Sequence, residues 1–528
     1  MSDVADRIVS AVKQNIPQDE IHIETLKPDT LAFRTSADMA IPTIKAILTT
    51  SDDATLSTIS SVDLTDTFEL LYHLRTLGTI VTVRCEIPST DPKIKSITPF
   101  IPGANFAERE AADFLGIVFK KHPNPSRLMV PDAWPKDLHP LRKNAEMPTP
   151  DTIFEDTSVQ ETSVDSDGTI KMKIVIGPQH PALLEPERFT IDVDGETVTK
   201  VVPRIGYCHR GVEKAAESRD YMKDVYMVER ICGICNSCHS TTFCQAVEAI
   251  LGTDVPVRGR YIRTIVLELN RIQSHLLLIG HAGHEIGYDT FFQYVWRDRE
   301  IVMDLIERVT GNRVISSILA IGGVRRDIKE SSIPIIKDGL SKLRTRSEFY
   351  RNLLDEDLTL KMRTENVGVL TRKDAVSMCT VGPVARASGI KTDVRLEAPY
   401  AAYDEVPFKI VTRTEGDSWA RVCVRADELL NSIEMIEYAI DNLPTGDIKV
   451  RTPRRVAEGE AINRVEAPRG EIFYYVKGNG TKFPERVKIR TPTLNNLQSV
   501  PKLTEGGNVA DFPIAFASID PCFSCTDR

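Results

Sequence analysis

Several features are missing from this 528-residue sequence, and each absence excludes a class of protein. No apolar run approaches the roughly 18 residues that a membrane-spanning helix requires. The segment from Met1 to Lys13 lacks the basic and apolar layout of a secretory signal peptide. The formal net charge is −9 and no basic stripe stands out, which argues against nucleic acid as a partner. We therefore expect a cytoplasmic protein that does not bind nucleic acid.

The composition is that of an ordinary globular protein. Hydrophobic residues make up 41% and charged residues 27% of the chain, and a chain of this length predicts two or three domains. The ten cysteines are irregularly spaced, unlike the framework of a disulfide-rich secreted protein. They fit reduced thiols and metal ligands instead.

Two Cys-x-x-Cys pairs lie far apart in the chain, Cys232 with Cys235 and Cys522 with Cys525. Two intervening residues let one turn of backbone direct both sulfurs at a single ion, and four thiolates suit a soft or borderline metal. A structural zinc site and an iron–sulfur cluster are both open on this evidence. Zinc ribbons usually place their pairs much closer together, and Cys238 extends the first pair as some cluster motifs do. The pattern predicts a metal site formed by the middle and the end of the sequence.

The residues around both pairs resemble the two ligand motifs of [NiFe]-hydrogenase large subunits. The first is Arg-Ile-Cys-Gly-Ile-Cys at residues 230–235, and the second is Asp-Pro-Cys-Phe-Ser-Cys-Thr-Asp-Arg at residues 520–528. In that family a maturation endopeptidase removes an extension that follows the third residue after the last cysteine. Arg528 stands at that position, so we expect the sequence to be the matured form.

The resemblance implies a Ni–Fe(CN)2(CO) centre bound by all four cysteines. Cys232 and Cys522 would be terminal ligands of nickel, whereas Cys235 and Cys525 would bridge nickel to iron. His239 matches the family histidine that hydrogen-bonds a bridging sulfur and tunes its basicity.

Two further motifs match the hydrogenase pattern. Arg-Gly-Val-Glu ends at Glu213, whose family counterpart exchanges protons with a bridging thiolate, here that of Cys525. Burial would raise the pKa of this glutamate and the metal would lower it, so we expect it to titrate near neutral pH. In Ala-Pro-Arg-Gly, the resemblance implies that Arg469 projects over the open coordination position and that Pro468 contacts the cofactor.

Other polar residues have weaker support. Gly-Pro-Gln-His-Pro at residues 177–181 resembles the start of the 49 kDa subunit of complex I, and we expect His180 to line a cavity near the metal, with a rigid turn as the alternative. A polar loop at residues 280–287 contains Glu285, a further proton-path candidate, with a metal site formed by His281, His284 and Glu285 as the alternative. The remaining thiols of this region are expected to lie in the core, namely Cys208, Cys238 and Cys244.

The predicted architecture is α+β, with a small N-terminal α/β domain and a mainly helical domain that has a central helix bundle and peripheral β-hairpins. Residues 1–145 close with a stretch from Glu108 that resembles the 30 kDa subunit of complex I, which we interpret as a docking domain. Residues 146–170 form an acidic linker, and residues 171–528 form the hydrogenase-like and 49 kDa-like domain. Helices are predicted at 3–14, 42–48, 214–227, from 258 onward, 301–318 and 426–443. Strands are predicted at 30–34, 79–86 and 171–176, and hairpins at 189–202 and 472–477.

The resemblance thus implies the catalytic subunit of a complex I-related, membrane-associated [NiFe] hydrogenase of the formate hydrogenlyase or hydrogenase-4 type. Its reaction is the interconversion of two protons and two electrons with H2. No convincing cluster motif remains beside the four ligands, so a [4Fe-4S] cluster is expected in a partner small subunit. Expected partners also include ferredoxin-like iron–sulfur subunits, antiporter-like and anchor subunits of the membrane, the maturation endopeptidase and, where formate is the donor, a formate dehydrogenase. The chain would then lie peripherally on the cytoplasmic side of the membrane. The alternatives are a complex I-type quinone reductase subunit, a family that lacks the cysteine pairs, and a zinc-stabilised assembly scaffold.

Overall fold

The computed structural model describes residues 2–28, 30–146 and 172–528. The acidic linker predicted at 146–170 lies outside the described residues except for Glu146. The described residues form many α-helices and several small β-sheets, which confirms the α+β class.

The N-terminal part is built on a five-stranded sheet. Its elements are α1 Ser2–Asn15, β1 Ile21–Leu26, β2 Thr30–Thr35, α2 Ala40–Leu48, β3 Thr55–Asp63, β4 Thr67–Thr76, β5 Thr79–Pro88, β6 Lys93–Lys95, α3 Asn105–Leu115 and β7 Val118–Lys120. The strand order is β1-β2-β5-β4-β3, with β2 and β5 parallel and the other neighbours antiparallel. Both faces of β4 are buried, because α2 packs on one face and a second sheet lies near the other. The elements predicted at 3–14, 30–34, 42–48 and 79–86 are confirmed, whereas β1, β3 and β4 were not predicted.

After the linker, a three-stranded antiparallel sheet leads into the first cysteine pair. Its strands are β8 Met172–Ile176, β9 Arg188–Asp194 and β10 Thr197–Arg204. The strand predicted at 171–176 and the hairpin predicted at 189–202 are thus confirmed. The single helix predicted at 214–227 is wrong, because the chain forms α4 Val212–Ala216 and α5 Tyr221–Glu229. Asp220 starts the second helix anew, since its side chain accepts a hydrogen bond from the backbone N–H of Lys223.

Four long helices form the central bundle of the second part, namely α7 Val257–Glu285, α8 Asp289–Thr310, α9 Ile333–Glu356 and α14 Ser418–Asp441. α6 Asn236–Leu251 precedes them, and the short strands β11 Leu319–Ala320 and β12 Gly323–Val324 lie between α8 and α9 in the chain. α7 packs against α8 and against the later helix α14, and α9 packs against α8 and α14. The remaining helices of this stretch are α10 Leu358–Thr364, α11 Arg372–Ser377, α12 Gly382–Ala387 and α13 Val394–Glu397.

The bundle differs from the predicted helices at four ends, the first being the start of α8, which lies at Asp289 and not at residue 301. α7 continues through residues 281–285, where a polar loop was predicted. α8 stops at Thr310 because Gly311 adopts a left-handed conformation at its C-cap, so the helix predicted to reach 318 is too long. α14 begins at Ser418, earlier than predicted, since Asp417 caps its N-terminus by accepting from the N–H of Ala420.

A third sheet joins the two parts of the molecule. Its antiparallel strands are β13 Gly459–Ala467, β14 Gly470–Gly478 and β15 Pro484–Arg490, so the predicted hairpin is extended to three strands. One apolar cluster contains side chains of this sheet and of the N-terminal sheet, namely Leu26, Ala32, Val62, Leu71, Ile80, Ile462, Phe473 and Tyr475. The chain ends with α15 Pro492–Asn496, α16 Val500–Thr504, α17 Phe512–Ala517 and α18 Phe523–Asp527. The N-terminal sheet therefore covers the sheet whose β13–β14 turn carries the Ala-Pro-Arg-Gly motif.

No helix in the described parts of the chain combines the length and the apolar composition needed to cross a membrane.

Candidate metal centre

Four buried thiols from the two Cys-x-x-Cys pairs converge at one point. Cys232 lies in the turn after α5, and Cys235 stands at the N-cap of α6. Cys522 stands at the N-cap of α18, and Cys525 lies within that helix. The Sγ atoms of Cys232 and Cys522 are 3.5 Å apart, and those of Cys235 and Cys525 are 3.3 Å apart. None of the four forms a disulfide, and none is more than 3% exposed. The structure thus brings together the four cysteines that the sequence singled out.

The spacing and chemistry of this donor set fit a metal ion. The sulfurs are well beyond the ~2.05 Å of a disulfide and slightly inside the ~3.8 Å that separates thiolates around a tetrahedral ion with ~2.3 Å bonds. The backbone N–H groups of Ile234 and Cys235 donate to the Cys232 sulfur. The pKa of the Cys232 thiol is well below its ordinary value, mainly because the S–H groups of Cys235, Cys522 and Cys525 donate to it. A metal ion could replace these shared protons, and it would bind at sulfurs that are already close together and shielded from water.

His239 contacts the quartet from the first turn of α6. Its Nε2 lies 3.5 Å from the Cys525 sulfur, and its Nδ1 lies 2.8 Å from the hydroxyl of Tyr474 on β14. Burial lowers the pKa of His239 to about 4, so the imidazole is neutral at pH 7. With the tyrosine hydroxyl donating to Nδ1, the proton on Nε2 points at the sulfur. Tyr474 was not predicted, although its place on a strand that follows the Ala-Pro-Arg-Gly motif was a usable signal.

Arg469 connects the β13–β14 turn to the second cysteine segment. Its Nε donates to the carbonyl oxygen of Asp520 at 2.8 Å, and a terminal nitrogen donates to the Asp520 carboxylate at 2.7 Å. The other terminal nitrogen donates to Ser274 Oγ on α7 at 3.2 Å. The side chain is 1% exposed, and the net effect of Asp520 and the cysteines outweighs burial and raises its pKa. Gly470 permits the turn because a Cβ there would lie 2.8 Å from the backbone nitrogen of Gly382.

Pro468 lies in the same turn as Arg469 and is buried. Pro468 therefore belongs to the turn that holds the guanidinium of Arg469 in place.

Glu213 is buried in α4 among cations, which differs from the expected near-neutral titration. One carboxylate oxygen accepts from Arg486 at 2.7 Å, and the other accepts from the N–H of Ile489 at 3.0 Å. Lys488 and Arg528 lie 3.6 Å and 3.4 Å away. Burial raises the pKa of Glu213, but Lys488, Arg486 and Arg528 together bring it down to about 2. The side chain is therefore held as a carboxylate.

The weaker candidates fall outside the quartet. His180 is exposed in a turn and accepts from the backbone N–H of Ala182, so it does not line a cavity near the cysteines. Glu285 lies in the last turn of α7, 3.4 Å from His281, and burial raises its pKa. His281, rather than His180, borders the small gap beside Pro521.

Two other cysteines predicted to be core thiols, Cys238 and Cys244, are buried in α6, and burial raises the pKa of both. Cys208 is only half-buried, and burial raises the pKa of its thiol to about 12. None of the three joins the groups of possible metal ligands in the described residues.

Three protein families match this chain. Respiratory-chain NADH dehydrogenase 49 kDa subunits match residues 285–457 and 450–528, and the 30 kDa subunits match residues 34–151. Nickel-dependent hydrogenases match residues 210–282, which include the first cysteine pair.

Individual relatives extend over most of the chain. The membrane-bound hydrogenase subunit alpha of Pyrococcus furiosus is 44% identical over 68% of this chain and 87% of its own length. The hydrogenase-4 component G of Escherichia coli is 33% identical over 100% of this chain and 93% of its own length. Among solved structures, that of the membrane-bound sulfane sulfur reductase, an archaeal respiratory membrane complex, has a TM-score of 0.65 and 34% identity, covering 68% of this chain and 98% of the matched chain.

These matches define the class as a 30 kDa-like unit fused to a 49 kDa-like and hydrogenase-like unit, as in complexes related to respiratory complex I. Within that class, the chain belongs to the family of membrane-bound hydrogenase large subunits, which are [NiFe] oxidoreductases. The likeness to a sulfane sulfur reductase shows that the fold also occurs in a complex named for another chemistry. The residues of the site, rather than the fold, must therefore carry the functional argument.

Proposed function

We propose that this chain is the catalytic subunit of a membrane-associated [NiFe] hydrogenase that interconverts two protons and two electrons with H2. The observation that carries the proposal is the convergence of four buried thiols from two distant Cys-x-x-Cys pairs. Membership of the nickel-dependent hydrogenase family favours nickel and iron over zinc for this donor set.

The four thiols would have two different roles as metal ligands. Cys232 and Cys522 would hold nickel alone, whereas Cys235 and Cys525 would hold both nickel and an iron that carries cyanide and carbon monoxide. His239 contacts the sulfur of Cys525, and Cys525 is one of the two cysteines that would bind both metals. When bound, the centre supplies the redox chemistry of H2, and the protein supplies ligands, proton carriers and a dry pocket.

The remaining site residues act on charge and protons. Arg469 is fixed by Asp520 and Ser274, so a permanent positive charge is held beside the sulfurs without exchanging its own proton. Cys525 Sγ would hold a proton in transit. Glu213, whose pKa of about 2 keeps it a carboxylate, would supply a fixed negative charge to the cations beside the second cysteine pair instead of the proton relay that the motif implies. Tyr474 and His239 orient the sulfur through their hydrogen bond.

Electrons must enter through a partner. In the described residues, the groups of side chains that could hold a metal are confined to the cysteine quartet and His239. A small subunit with a [4Fe-4S] cluster would therefore deliver electrons, supplied in turn by ferredoxin-like subunits or a formate dehydrogenase. Similarity to hydrogenase-4 component G and to formate hydrogenlyase subunit 5 supports a complex of one of these two types. Antiporter-like and anchor subunits would hold such a complex in the membrane. A peripheral position on the cytoplasmic side follows from this arrangement.

The rival functions make different demands on the quartet. A quinone reductase subunit would have no use for four converging thiols, whereas a zinc-stabilised scaffold would need the thiols but not Arg469 or Glu213 beside them.

Metal content and turnover of the purified protein test the proposal. We expect nickel and iron in equal amounts, infrared bands of iron-bound cyanide and carbon monoxide, and H2 evolution with a reduced electron donor. Cys525→Ser should abolish nickel retention and activity. The matched variant Cys423→Ser removes a buried thiol of α14 outside the quartet and should retain both. Zinc alone in the wild-type protein, or H2 evolution by Cys525→Ser, would overturn the proposal.

A further inference from the structure

A helix of the N-terminal part reaches the segment that carries the second cysteine pair. Glu110 on α3 is 1% exposed, and its Oε1 accepts hydrogen bonds from the guanidinium of Arg528 and from the ammonium of Lys488, the latter at 2.5 Å. Arg528 itself is 1% exposed and lies three residues after Cys525. The ion pair therefore joins the 30 kDa-like part of the chain directly to a cysteine segment of the metal centre.

A second contact comes from the same face of α3. Phe114 lies one helical turn after Glu110, so the two side chains project in the same direction. The Phe114 ring stacks on the imidazole of His209, with centroids 5.4 Å apart and planes at 26°. His209 Nδ1 donates to the backbone carbonyl oxygen of Asp527 at 2.6 Å. α3 thus contacts two successive residues of the segment 520–528. It contacts Arg528 through the ion pair of Glu110, and Asp527 through the ring of His209.

The charges around Glu110 explain why the contact matters. Three buried cations, Arg486, Lys488 and Arg528, face two buried carboxylates, Glu110 and Glu213. A buried cation that loses its anion is strongly disfavoured, so both carboxylates are needed to keep Arg528 inside. Glu213 belongs to the hydrogenase-like part, and Glu110 is the carboxylate that the N-terminal part contributes. Removing the charge of Glu110 would leave Glu213 as the one buried carboxylate, among the described residues, in contact with these three cations.

We propose that α3 is a clamp that keeps residues 520–528 closed over the metal centre, with Glu110 as its positioning residue. The N-terminal part then has a role beyond docking, because it restrains a segment that carries two metal ligands. The proposal rests on the proposed function only in treating these thiols as ligands. The clamp itself is measurable in the metal-free chain, so its failure and that of the proposed function are distinguishable.

Hydrogen exchange of the full chain tests the clamp. The amides of Thr526 and Arg528 are protected by bonds to the carbonyls of Cys522 and Ser524. In Glu110→Gln, we expect peptides covering 520–528 to exchange at least 10-fold faster, while the central helix α7 keeps its wild-type protection.

Glu108→Gln is the matched control. Glu108 is equally buried on α3, but its carboxylate accepts from Ser96, Thr98 and the N–H of Ile97 within the N-terminal part. This variant should loosen those residues and leave peptides covering 520–528 unchanged. Equal acceleration of that segment in both variants would reduce Glu110 to an ordinary contributor to domain stability and overturn the clamp.

Two further variants keep the test decisive. If Glu110 acts through Arg528, the effects of Glu110→Gln and Arg528→Gln on hydrogen exchange of residues 520–528 should be strongly non-additive in the double variant, whereas additive effects would contradict the clamp.

Phe114→Leu leaves every charge in place and removes the stack on His209, so it replaces Glu110→Gln should that variant fail to fold. It should also accelerate exchange at 520–528, and wild-type exchange there would refute the second contact. In the metal-loaded protein, nickel should dissociate faster from Glu110→Gln than from Glu108→Gln.

Discussion

Replacing Glu213 by glutamine tests whether the structure holds this side chain as a carboxylate. The carboxylate accepts from Arg486 and from the backbone of Ile489, and Lys488 and Arg528 lie within 4 Å. Glutamine has nearly the same size, but it removes the charge and replaces one acceptor oxygen by an NH2 donor. The pH dependence of the difference between the variant and the wild type therefore isolates the contribution of the charge.

The size of the effect follows from the pKa. Burial acts to raise the pKa of Glu213, but the three cations lower it from 4.5 to about 2. Because one pKa unit corresponds to ~1.4 kcal/mol, the charged form contributes about 3 kcal/mol to the free energy of unfolding. A depressed carboxyl pKa means that this contribution is fully present above about pH 4.5 and is lost as the pH falls toward 2.

Urea denaturation of the metal-free wild type and Glu213→Gln, at a series of pH values, measures this difference. We expect the wild type to be more stable by about 3 kcal/mol, with no change in the difference from pH 8 to 5 and a steady decrease below pH 4.5. A difference that changed between pH 6 and 8 would show that Glu213 titrates near neutrality, as the sequence motif first suggested. That result, or equal stability at pH 7, would refute the interpretation of the cation cluster.

Two other substitutions probe the groups that contact the quartet. Arg469→Lys keeps the positive charge but cannot make the paired bonds to Asp520, so H2 turnover should fall by about 10²–10³-fold while nickel content, measured on the same sample, stays at the wild-type level. Loss of nickel together with activity would instead make Arg469 a structural residue. Tyr474→Phe removes the hydroxyl that bonds His239, and we expect about 1 kcal/mol lower stability and about 10-fold weaker nickel retention. Unchanged retention in an equilibrium competition with a chelator would contradict the orienting role of Tyr474.

Local patterns in the sequence were sufficient to single out the four cysteines and to predict α7, whereas α6 and α9 were not predicted. The spacing within residues 232–235 and 522–525 is a property of a few consecutive residues, and the structure brings both pairs together. The apolar periodicity of α7 likewise predicted a helix from 258 onward. The prediction at 214–227 was wrong because the periodic pattern concealed the new N-cap at Asp220.

Long-range packing decided the rest. Nothing near Arg469 in the sequence indicates that Asp520 and Ser274 hold its guanidinium, and nothing near Glu110 indicates a contact with Arg528, 418 residues away.

By itself, the sequence singled out the four cysteines as candidate metal ligands, because ligand type and spacing are local and chemical. Only the tertiary structure decided their charge states and supports, as Glu213 illustrates. Its pKa depends on Arg486, Lys488 and Arg528, which folding brings beside it from more than 270 positions away. Electrostatic energy depends on distances in space and on burial, and neither can be read from the order of residues along the chain.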